Sequence, residues 1–494
     1  MPDSASLLWL ALGALLNLFS SGKWTIPIVA WLAPVFLLHF ARLRSPVSGM
    51  IWLWLVLFAT LHWAYQGLIP APGPAAAGIS ALIALASLAP FLADRLLAPR
   101  IPGFISTLVF PLAWAALDFT AARLSPYGTW GSVAYTQYGN LALMQLASVT
   151  GTVGIAFLIA WFASVVNWAW DRHFERASVR NGLLVYALVW SLTMILGGAR
   201  LVFSPTAEKS IRIAAIGWPE GMMTRPEFMR ALEPDLSSGE HAKLSLAFER
   251  IHDYFFDATR REARAGAEIV VWPEANAMVY QDDEAALLER TRQLARDNRI
   301  HVLIGLATVY PGSAQPFQNR AVLIDPAGVV ALNYVKAIPV PGFEARISRR
   351  GKPRILTHDS VYGRIAVAIC YDLDFPEFIR QVGAAHADLF LVPASDWREI
   401  KLPHHVSATF RAIENGVTMV RATRWGLSSA VDPQGRVVAL LDPFVATNQS
   451  LVAQVPVGRV GTIYARFGDW FGWLCVAGFL AACIRSLPFS RPPG

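Results

Sequence analysis

The amino-acid sequence predicts an α-helical membrane domain of about eight transmembrane helices joined to a globular α/β domain. Hydrophobic residues make up 54% of the 494 residues and charged residues 16%, which is too apolar for an ordinary soluble protein. The apolar residues are concentrated in long stretches near the two ends of the chain. From about residue 210 onward, short apolar runs alternate with charged amphipathic stretches, a pattern typical of alternating strands and helices.

Eight apolar stretches carry the prediction of a membrane domain. Several approach the ~20 residues that a spanning helix requires, and the first, second and last are shorter. They lie at 6–21, 24–40, 47–65, 75–93, 101–121, 150–170, 183–203 and 470–487. The predicted domains are a bundle of about seven helices at 1–203, a globular domain at 204–466, and a last transmembrane helix with a cytoplasmic tail at 467–494.

The distribution of basic residues among the short loops predicts the orientation, because Lys and Arg are retained on the cytoplasmic side. The first, third and fifth connections hold only Lys23 and Arg123. The other connections and the C-terminal tail hold Arg42, Arg44, Arg95, Arg100, Arg172, Arg176, Arg180, Arg485 and Arg491. We therefore expect both termini in the cytoplasm and the 204–466 domain on the extracytoplasmic side. The first stretch lacks a basic leader segment, so we expect it to remain as a helix.

The net charge of +7 raises the question of a polyanionic partner. The basic residues are scattered or lie in predicted cytoplasmic turns, without a basic-aromatic motif. We expect no nucleic-acid partner and take the membrane, with its anionic lipids, as the electrostatic partner. The sequence contains no HExxH, paired CxxC or glycine-rich phosphate loop, so it predicts no metal and no cofactor.

Two other positions invite a functional interpretation that the sequence does not favour. His404 and His405 are neighbours, and adjacent positions on a helix point about 100° apart, so they do not readily chelate one ion. We expect them at a helix N-terminus that faces solvent or lipid headgroups. Asp118 lies in the fifth apolar stretch, where an ionisable residue is by default a functional hypothesis. With Arg123 close by in sequence, we favour an interface-level ion pair.

The sequence predicts both strands and helices in the globular domain. The predicted strands are 211–217, 268–272, 301–309, 319–325, 364–370, 388–393 and a hairpin-like pair around 418–440 with a turn at "DPQG". The run "VVALNYV" is also strand-like. The predicted helices are 241–265, 283–299, 376–386 and 403–415. About 250 residues is ample for a large core.

Three residues at predicted strand ends carry the groups of a covalent acyl-transfer site. Singly, each has an ordinary interpretation: Glu274 as a solvated loop carboxylate, Lys336 as a surface charge, and Cys370 as a small buried hydrophobe. Together they supply a general base, an ammonium that stabilises an oxyanion, and a nucleophile. We expect backbone N–H groups before the helix near Pro376 and a nearby ammonium to lower the pKa of the Cys370 thiol.

Three motifs give the chain a resemblance to the nitrilase (carbon-nitrogen hydrolase) superfamily: "VWPEA", "NYVKAIPVPGFE" and "AVAICYDLDFPE". That resemblance implies an αββα sandwich with Glu274, Lys336 and Cys370 as catalytic residues. The whole chain is similar to the apolipoprotein N-acyltransferases, through "YGTWGSVAYTQYGN", "GTVGIAFLIAWFAS" and "YARFGDWFGW". In that family a second Glu eight residues after the Lys assists catalysis, and Glu344 holds this place.

The family resemblance also implies substrates and a location. It implies that Cys370 takes an acyl group from a phospholipid as a thioester and passes it to the N-terminal amine of a diacylglyceryl-cysteine lipoprotein. It further implies a monomer in the bacterial cytoplasmic (inner) membrane, with Tyr371 and Asp372 as supporting residues. Asp372 stands where the family usually has Glu, and its shorter side chain requires different hydrogen bonds.

Two other functions stay open at this point. A membrane-anchored amidase would use the same three residues with water as the acyl acceptor, since both reactions share a covalent intermediate. A transporter or a non-catalytic scaffold is the second alternative. Polar residues within the apolar stretches are sparse, and transport paths usually require them.

Overall fold

A computed structural model describes residues 4–205, 209–218, 221–446 and 449–487. Arg491, which the orientation argument assigned to the cytoplasmic tail, lies outside these residues. The chain divides into two compact units. One comprises Met1–Phe203 with Phe467–Gly494, and the other comprises Ser204–Arg466.

The first unit is entirely helical in its described residues. Its helices are Ser4–Asn17 (α1), Val29–Leu43 (α2), Pro46–Ala64 (α3), Gly73–Ala86 (α4), Ala89–Leu97 (α5), Val109–Leu124 (α6), Leu141–Met144 (α7), Ala147–Thr150 (α8), Thr152–Trp170 (α9) and Arg176–Phe203 (α10), followed at the end of the chain by the C-terminal helix Trp470–Arg485.

Five helical segments among the described residues are long and apolar enough to cross a membrane: 46–64, 73–100, 104–124, 152–170 and 176–203. The shorter apolar helices are 5–17, 27–43, 141–150 and 470–485. Helical segments therefore cover all eight predicted stretches, but three of them are shorter than a full span. The total of about eight transmembrane helices stays a prediction.

Two helices of this unit differ in how much of their surface is exposed. Helix α9 is buried along most of its length, and its Asn167 amide donates to the Val35 carbonyl of α2 at 2.9 Å. Helix α10 instead exposes large apolar side chains such as Leu188 and Ile195. Exposed apolar side chains along a whole helix suit a lipid environment rather than water.

The expected ion pair between Asp118 and Arg123 is wrong. Arg123 donates instead to Asp469 at 2.6 Å, and its guanidinium lies over the rings of Phe119 and Trp473. Asp118 precedes Arg123 by five residues on α6, which places the two side chains about 140° apart around the helix axis. Arg123 therefore faces the start of the C-terminal helix.

The second unit contains the strands and the remaining helices. Its strands are Lys209–Ala215 (β1), Ile269–Val271 (β2), Ala277–Tyr280 (β3), His301–Val309 (β4), Phe317–Ile324 (β5), Val330–Val335 (β6), Leu356–Ser360 (β7), Gly363–Val367 (β8), Leu389–Ser395 (β9), Thr418–Arg424 (β10), Ser428–Val431 (β11), Val437–Leu441 (β12) and Leu451–Val457 (β13). Its helices are Arg225–Ala231 (α11), Ser238–Arg264 (α12), Glu284–Asn298 (α13), Phe343–Ile347 (α14), Pro376–Ala384 (α15), Lys401–Asn415 (α16) and Ile463–Phe467 (α17).

The described strands form two sheets. One sheet has the order β13-β1-β2-β4-β5-β6, with β3 also paired to β4, and the other has the order β12-β11-β10-β9-β8-β7. Side chains alternate between the two faces of a strand. Ile211 and Ile213 of β1 accordingly enter the core between the sheets, while Ala214 enters a second core beneath α12 and α13.

Helices cover the outer faces of both sheets. Helices α11 to α13 contribute to the core outside the first sheet, and α15 and α16 pack with the second sheet. The layers are therefore helix, sheet, sheet, helix, which confirms the predicted αββα sandwich. The sequence analysis did not predict β3, β7 and β13, and the region 418–440, predicted as a hairpin-like pair, contains the three strands β10, β11 and β12. Strand β7 reads "LTHDS", and β13 carries Pro456, which is tolerated because this strand lies at a sheet edge.

Gly305 of β4 allows the first sheet to approach the segment that carries Glu274. A Cβ at Gly305 would lie 2.0 Å from the Pro273 carbonyl oxygen and 2.8 Å from the Glu274 Cα. Because these are backbone atoms, they cannot rotate away, and Gly305→Ala should cost about 1–3 kcal/mol through overpacking. We expect a thermal midpoint several degrees below that of the wild type for the detergent-purified protein. Gly239→Ala, where the added Cβ meets nothing within 4 Å, is the control, and equal midpoints for the two variants would contradict this packing.

Candidate active site

Glu274 is held at the end of β2 by a restrained backbone. Pro273 fixes the chain just before it, and Ala275 just after it has a left-handed φ of 54°. The Glu274 N–H donates to the Ala394 carbonyl of β9 in the opposite sheet at 3.3 Å. The side chain is 4% exposed, so the predicted alternative of a solvated loop carboxylate does not describe it.

Lys336 follows β6 and reaches the same buried space. Its N–H donates to the Asn319 carbonyl at 2.9 Å, which extends the β5–β6 pairing by one residue. Its Nζ lies 2.8 Å from Glu274 Oε1 and 2.8 Å from Glu344 Oε1. Burial alone would lower the pKa of Lys336, but the carboxylates of Glu274 and Glu344 outweigh it and raise the pKa well above its ordinary value. Lys336 is therefore a permanent cation rather than the surface charge of the ordinary interpretation.

Glu344 and Asn319 complete the arrangement around the ammonium. Glu344 lies in the short helix α14, and its second oxygen accepts from Lys336 Nζ at 2.9 Å and from the Val340 N–H at 2.8 Å. The Asn319 amide donates to Glu274 at 2.7 Å and to Glu344 at 3.3 Å. The Asn319 amide and the Val340 N–H are thus neutral groups that donate to the same two carboxylates as Lys336. No sequence signal singled out Asn319, which is one polar residue in a buried strand.

Cys370 comes from the opposite sheet and has an unusual backbone. It follows β8 by three residues, begins a 3₁₀ turn over Cys370–Asp374, and has a left-handed φ of 46°. Non-glycine residues rarely adopt this conformation, and such strain is concentrated at functional sites. The thiol donates to the Ser395 carbonyl of β9 at 3.5 Å and is buried.

The expected lowering of the Cys370 pKa is wrong for the unliganded site. Burial raises the pKa of the thiol well above its ordinary value, the charge of Glu274 raises it further, and Lys336 only partly opposes both. The helix that was expected to help begins at Pro376, and a 3₁₀ turn separates it from Cys370. Cys370 is therefore a neutral thiol at rest, within electrostatic range of both Glu274 and Lys336.

Asp372 ties the segments that carry Lys336 and Cys370 together. Its carboxylate accepts from the Tyr334 hydroxyl at 2.6 Å and from the N–H groups of Ile338 and Ile369 at 3.0 Å each. Burial raises the pKa of Asp372 to about 7, against the opposite effect of these donors. Its neighbour Tyr371 is also buried and packs edge-on against Phe375.

The expectation that His404 and His405 face solvent is wrong. Both are buried in the first turns of α16. His404 Nδ1 lies 2.7 Å from Asp396 Oδ1, and His405 Nδ1 lies 3.1 Å from the Ser429 hydroxyl. The Nδ1 atom of each ring therefore has a polar partner inside the protein rather than in solvent. Burial lowers the pKa of His405 to about 4.

Asp396 and His404 also lie next to Cys370. Ligand atoms of Cys370, Asp396 and His404 lie within 4.8 Å of one another, a spacing that could hold a metal ion. However, Arg421 Nη2 donates to the two oxygens of Asp396 at 2.8 and 2.9 Å. Because a cation there would have to displace this guanidinium, the donor set does not fit a metal ion.

The structure thus brings together every site residue that the sequence singled out. Glu274, Lys336 and Glu344 are in direct contact, Cys370 faces the first two across the sandwich, and Asp372 links their loops. The second oxygen of Glu274, Oε2, is buried and has no hydrogen-bond partner among the described residues. A buried carboxylate oxygen without a donor is poised to accept a proton.

Two family models match the chain. The carbon-nitrogen hydrolase model matches residues 240–464, and the model of the apolipoprotein N-acyltransferase N-terminal domain matches residues 5–165. An apolipoprotein N-acyltransferase from Geobacter metallireducens is 30% identical over 415 residues, covering 78% of this chain and 75% of that protein. Another from Methylococcus capsulatus is 25% identical over 452 residues, covering 83% and 80%.

A solved structure is also similar to part of this chain. The crystal structure of an amidase from Nesterenkonia sp. is 24% identical, covers 51% of this chain and 92% of that chain, and has a TM-score of 0.40.

Removal of the Asp372 carboxylate should destabilise the site strongly. Asp372→Ala would remove the acceptor of the Tyr334 hydroxyl and of the Ile369 N–H, both buried, at a cost of about 1–3 kcal/mol for each group, and of the partly buried Ile338 N–H. We expect a clear fall in the thermal midpoint of the purified protein. Asp359→Ala is the matched control, because this Asp forms an exposed ion pair with Arg364, and exposed ion pairs contribute little to stability. Similar midpoints for the two variants would show that Asp372 does not hold these segments.

Proposed function

The chain belongs to the apolipoprotein N-acyltransferase family, and from this premise we propose that it moves a fatty acyl group from a membrane phospholipid, through a thioester on Cys370, to the N-terminal amine of a diacylglyceryl-cysteine lipoprotein. The family membership establishes an acyltransferase that modifies lipoproteins at a membrane. The observation that carries the finer proposal is the buried Glu274–Lys336 pair at 2.8 Å, which lies beside Cys370 and leaves one carboxylate oxygen without a donor.

Glu274 is the general base of the acylation step in this proposal. Its Oε1 is occupied by Lys336 and Asn319, so Oε2 takes the proton of the Cys370 thiol. The sulfur then attacks the ester carbonyl carbon of the phospholipid, and a tetrahedral intermediate forms. A thiol with a raised pKa requires such a base, because almost no thiolate exists before the substrate arrives.

Lys336 stabilises the charge that develops on the carbonyl oxygen. The ammonium is already held by two carboxylates, so it needs no reorganisation when the oxyanion forms. As the intermediate collapses, the bond to the glycerol oxygen breaks and Glu274 returns its proton to that oxygen. The products are a lysophospholipid and a thioester on Cys370.

The second half-reaction reuses the same groups. The free amine of the lipoprotein attacks the thioester carbonyl, Glu274 takes a proton from the nitrogen, and the Cys370 sulfur leaves and regains a proton. One nucleophile that serves two substrates in turn implies ping-pong kinetics. Glu344 supports Lys336, and Asp372 and Tyr371 support the loop that carries the nucleophile.

Hydrolysis by water is the competing outcome, because an amidase would share the intermediate. Glu274, Lys336 and Cys370 are 4%, 2% and 4% exposed, which supports a site where water has little access to a thioester. Exclusion of water favours transfer to a bound amine over hydrolysis.

The location of the enzyme is part of the proposal. The arginine distribution supports a multi-pass protein of the bacterial inner membrane with the 204–466 domain on the extracytoplasmic side. Both substrates carry acyl chains anchored in the membrane, so a membrane enzyme need not extract either chain into water.

Substitutions in the three central residues should separate the two half-reactions. After incubation of the purified full-length protein with phosphatidylglycerol, we expect intact-protein mass spectrometry to detect one added fatty acyl mass that hydroxylamine removes. We expect Cys370→Ser to abolish turnover and form no thioester, and Glu274→Gln to lower acylation by at least about 100-fold, as expected for loss of a general base.

Lys336→Ala should leave the protein folded and nearly inactive, with a loss of about 100- to 1,000-fold, as when an oxyanion donor is removed. Addition of a diacylglyceryl-cysteine peptide should discharge the wild-type thioester and produce a triacylated peptide. Release of free fatty acid without peptide acylation would favour the amidase, and a folded Lys336→Ala variant with near-normal turnover would refute the role of Lys336.

A further inference from the structure

Arg424 leaves the second sheet immediately beside the proposed catalytic residues. It is the last residue of β10 and is paired in register with Ser395 of β9. The Ser395 carbonyl accepts the hydrogen bond of the Cys370 thiol, and the preceding Ala394 carbonyl accepts that of the Glu274 N–H. Arg424 is therefore one strand away from the backbone that contacts both the nucleophile and the base.

The Arg424 guanidinium lies against two tryptophan rings. Its Cζ is 3.9 Å from the ring centroid of Trp218 and 3.9 Å from that of Trp425. The two rings are inclined at 74° to each other. Cation–π contacts of this kind attract the guanidinium and restrict its position, but they leave its N–H groups without acceptors.

Arg424 is a buried cation that forms no ion pair or hydrogen bond with a carboxylate in the described part of the chain, although the charge of Glu274 acts on it. It is 9% exposed, and its Nε is buried with no hydrogen-bond partner. The other buried arginines nearby are paired: Arg421 with Asp396 and Arg411 with Glu414. Burial of a guanidinium without hydrogen-bond acceptors costs free energy, unless a ligand supplies the missing acceptors. Burial lowers the pKa of Arg424 to about 10, so it remains a cation at neutral pH.

The loop that follows Arg424 is fixed in an unusual conformation. Trp425 has a left-handed φ of 55°, and a Cβ at Gly426 would lie 2.0 Å from Asp396 Oδ2. Trp425 is 39% exposed, so this group of residues reaches the protein surface. The strained backbone keeps one ring over the guanidinium while the site stays open to solvent on one side.

We propose that Arg424 binds the phosphate of the donor phospholipid, held ready by Trp218 and Trp425. The inference rests on the proposed function and adds the residue that recognises the donor. A phosphate diester presents two charged oxygens that match the fork of guanidinium N–H groups. Because Arg424 lies beside the acyl-transfer residues, binding of the phosphate there positions the neighbouring ester toward Cys370.

The test compares a donor with a phosphate and one without. Acylation of Cys370 in the full-length protein is measured by intact mass, with phosphatidylglycerol or with p-nitrophenyl palmitate, which is neutral and carries no phosphate. We expect Arg424→Gln to lower kcat/KM for phosphatidylglycerol by about 10- to 100-fold, the range of a charge-assisted hydrogen bond. The rate with p-nitrophenyl palmitate should stay within about threefold of the wild type.

Two further variants keep this test decisive. Arg424→Lys retains the charge but loses the planar arrangement of N–H groups, so we expect an intermediate loss of kcat/KM with phosphatidylglycerol. This variant replaces Arg424→Gln in the test if Arg424→Gln fails to fold. Arg398→Gln is the control, because Arg398 is an exposed arginine stacked on Phe444, and we expect wild-type rates with both donors.

Equal losses with both donors, or no loss with phosphatidylglycerol, would overturn the assignment of Arg424 and leave the proposed function intact. A loss confined to the transfer of the acyl group to a peptide would also overturn it. If the wild-type protein formed no thioester from phosphatidylglycerol but did so from p-nitrophenyl palmitate, the proposed function would fail, and the phosphate site with it.

Discussion

The buried contact of the Lys336 ammonium with two carboxylates is the interaction on which the site depends. Lys336, Glu274 and Glu344 together carry one positive and two negative charges in a space with little water. Ionised groups in such a place are stable only when they are paired and hydrogen-bonded. The amide of Asn319 and the N–H of Val340 supply the extra donors. Both carboxylates therefore have donors besides Lys336, and the cluster lies next to the Cys370 thiol.

The position of this cluster next to the thiol depends on the packing of the two sheets against each other. Glu274 and Lys336 follow strands of the first sheet, and Cys370 follows a strand of the second. The carbonyls of Ala394 and Ser395 contact the Glu274 backbone and the Cys370 thiol, so one short segment of β9 sets the separation between Glu274 and Cys370. The left-handed backbone at Ala275 and Cys370 indicates that the surrounding packing holds both turns against their local preference.

The sequence predicted the parts of the site that depend on local order along the chain. An apolar run followed by Pro273 places Glu274 at a strand end, and the resemblance to the acyltransferase family selects Glu344, eight residues after Lys336. Local sequence patterns did not identify three other residues of the site: Asn319, Asp396 and Arg421. Each of them contacts the site through residues that are distant in sequence. The expected pKa of Cys370 was wrong for the same reason: it depends on burial across the sandwich, which local sequence does not reveal.

A neutral thiol has a consequence for selectivity. Burial and the charge of Glu274 are the two largest influences on the pKa of Cys370, and Asp396 and Arg421 act on it more weakly and in opposite directions. Oxidants and soluble electrophiles react with the thiolate, which this site does not form in advance. In the proposed mechanism, proton transfer to Glu274 becomes favourable only when a carbonyl oxygen that Lys336 can stabilise is present. A thiol that loses its proton only at this point reacts preferentially with an ester whose carbonyl oxygen is bound beside Lys336. For a phospholipid, binding of its phosphate by Arg424 would place the ester in that position.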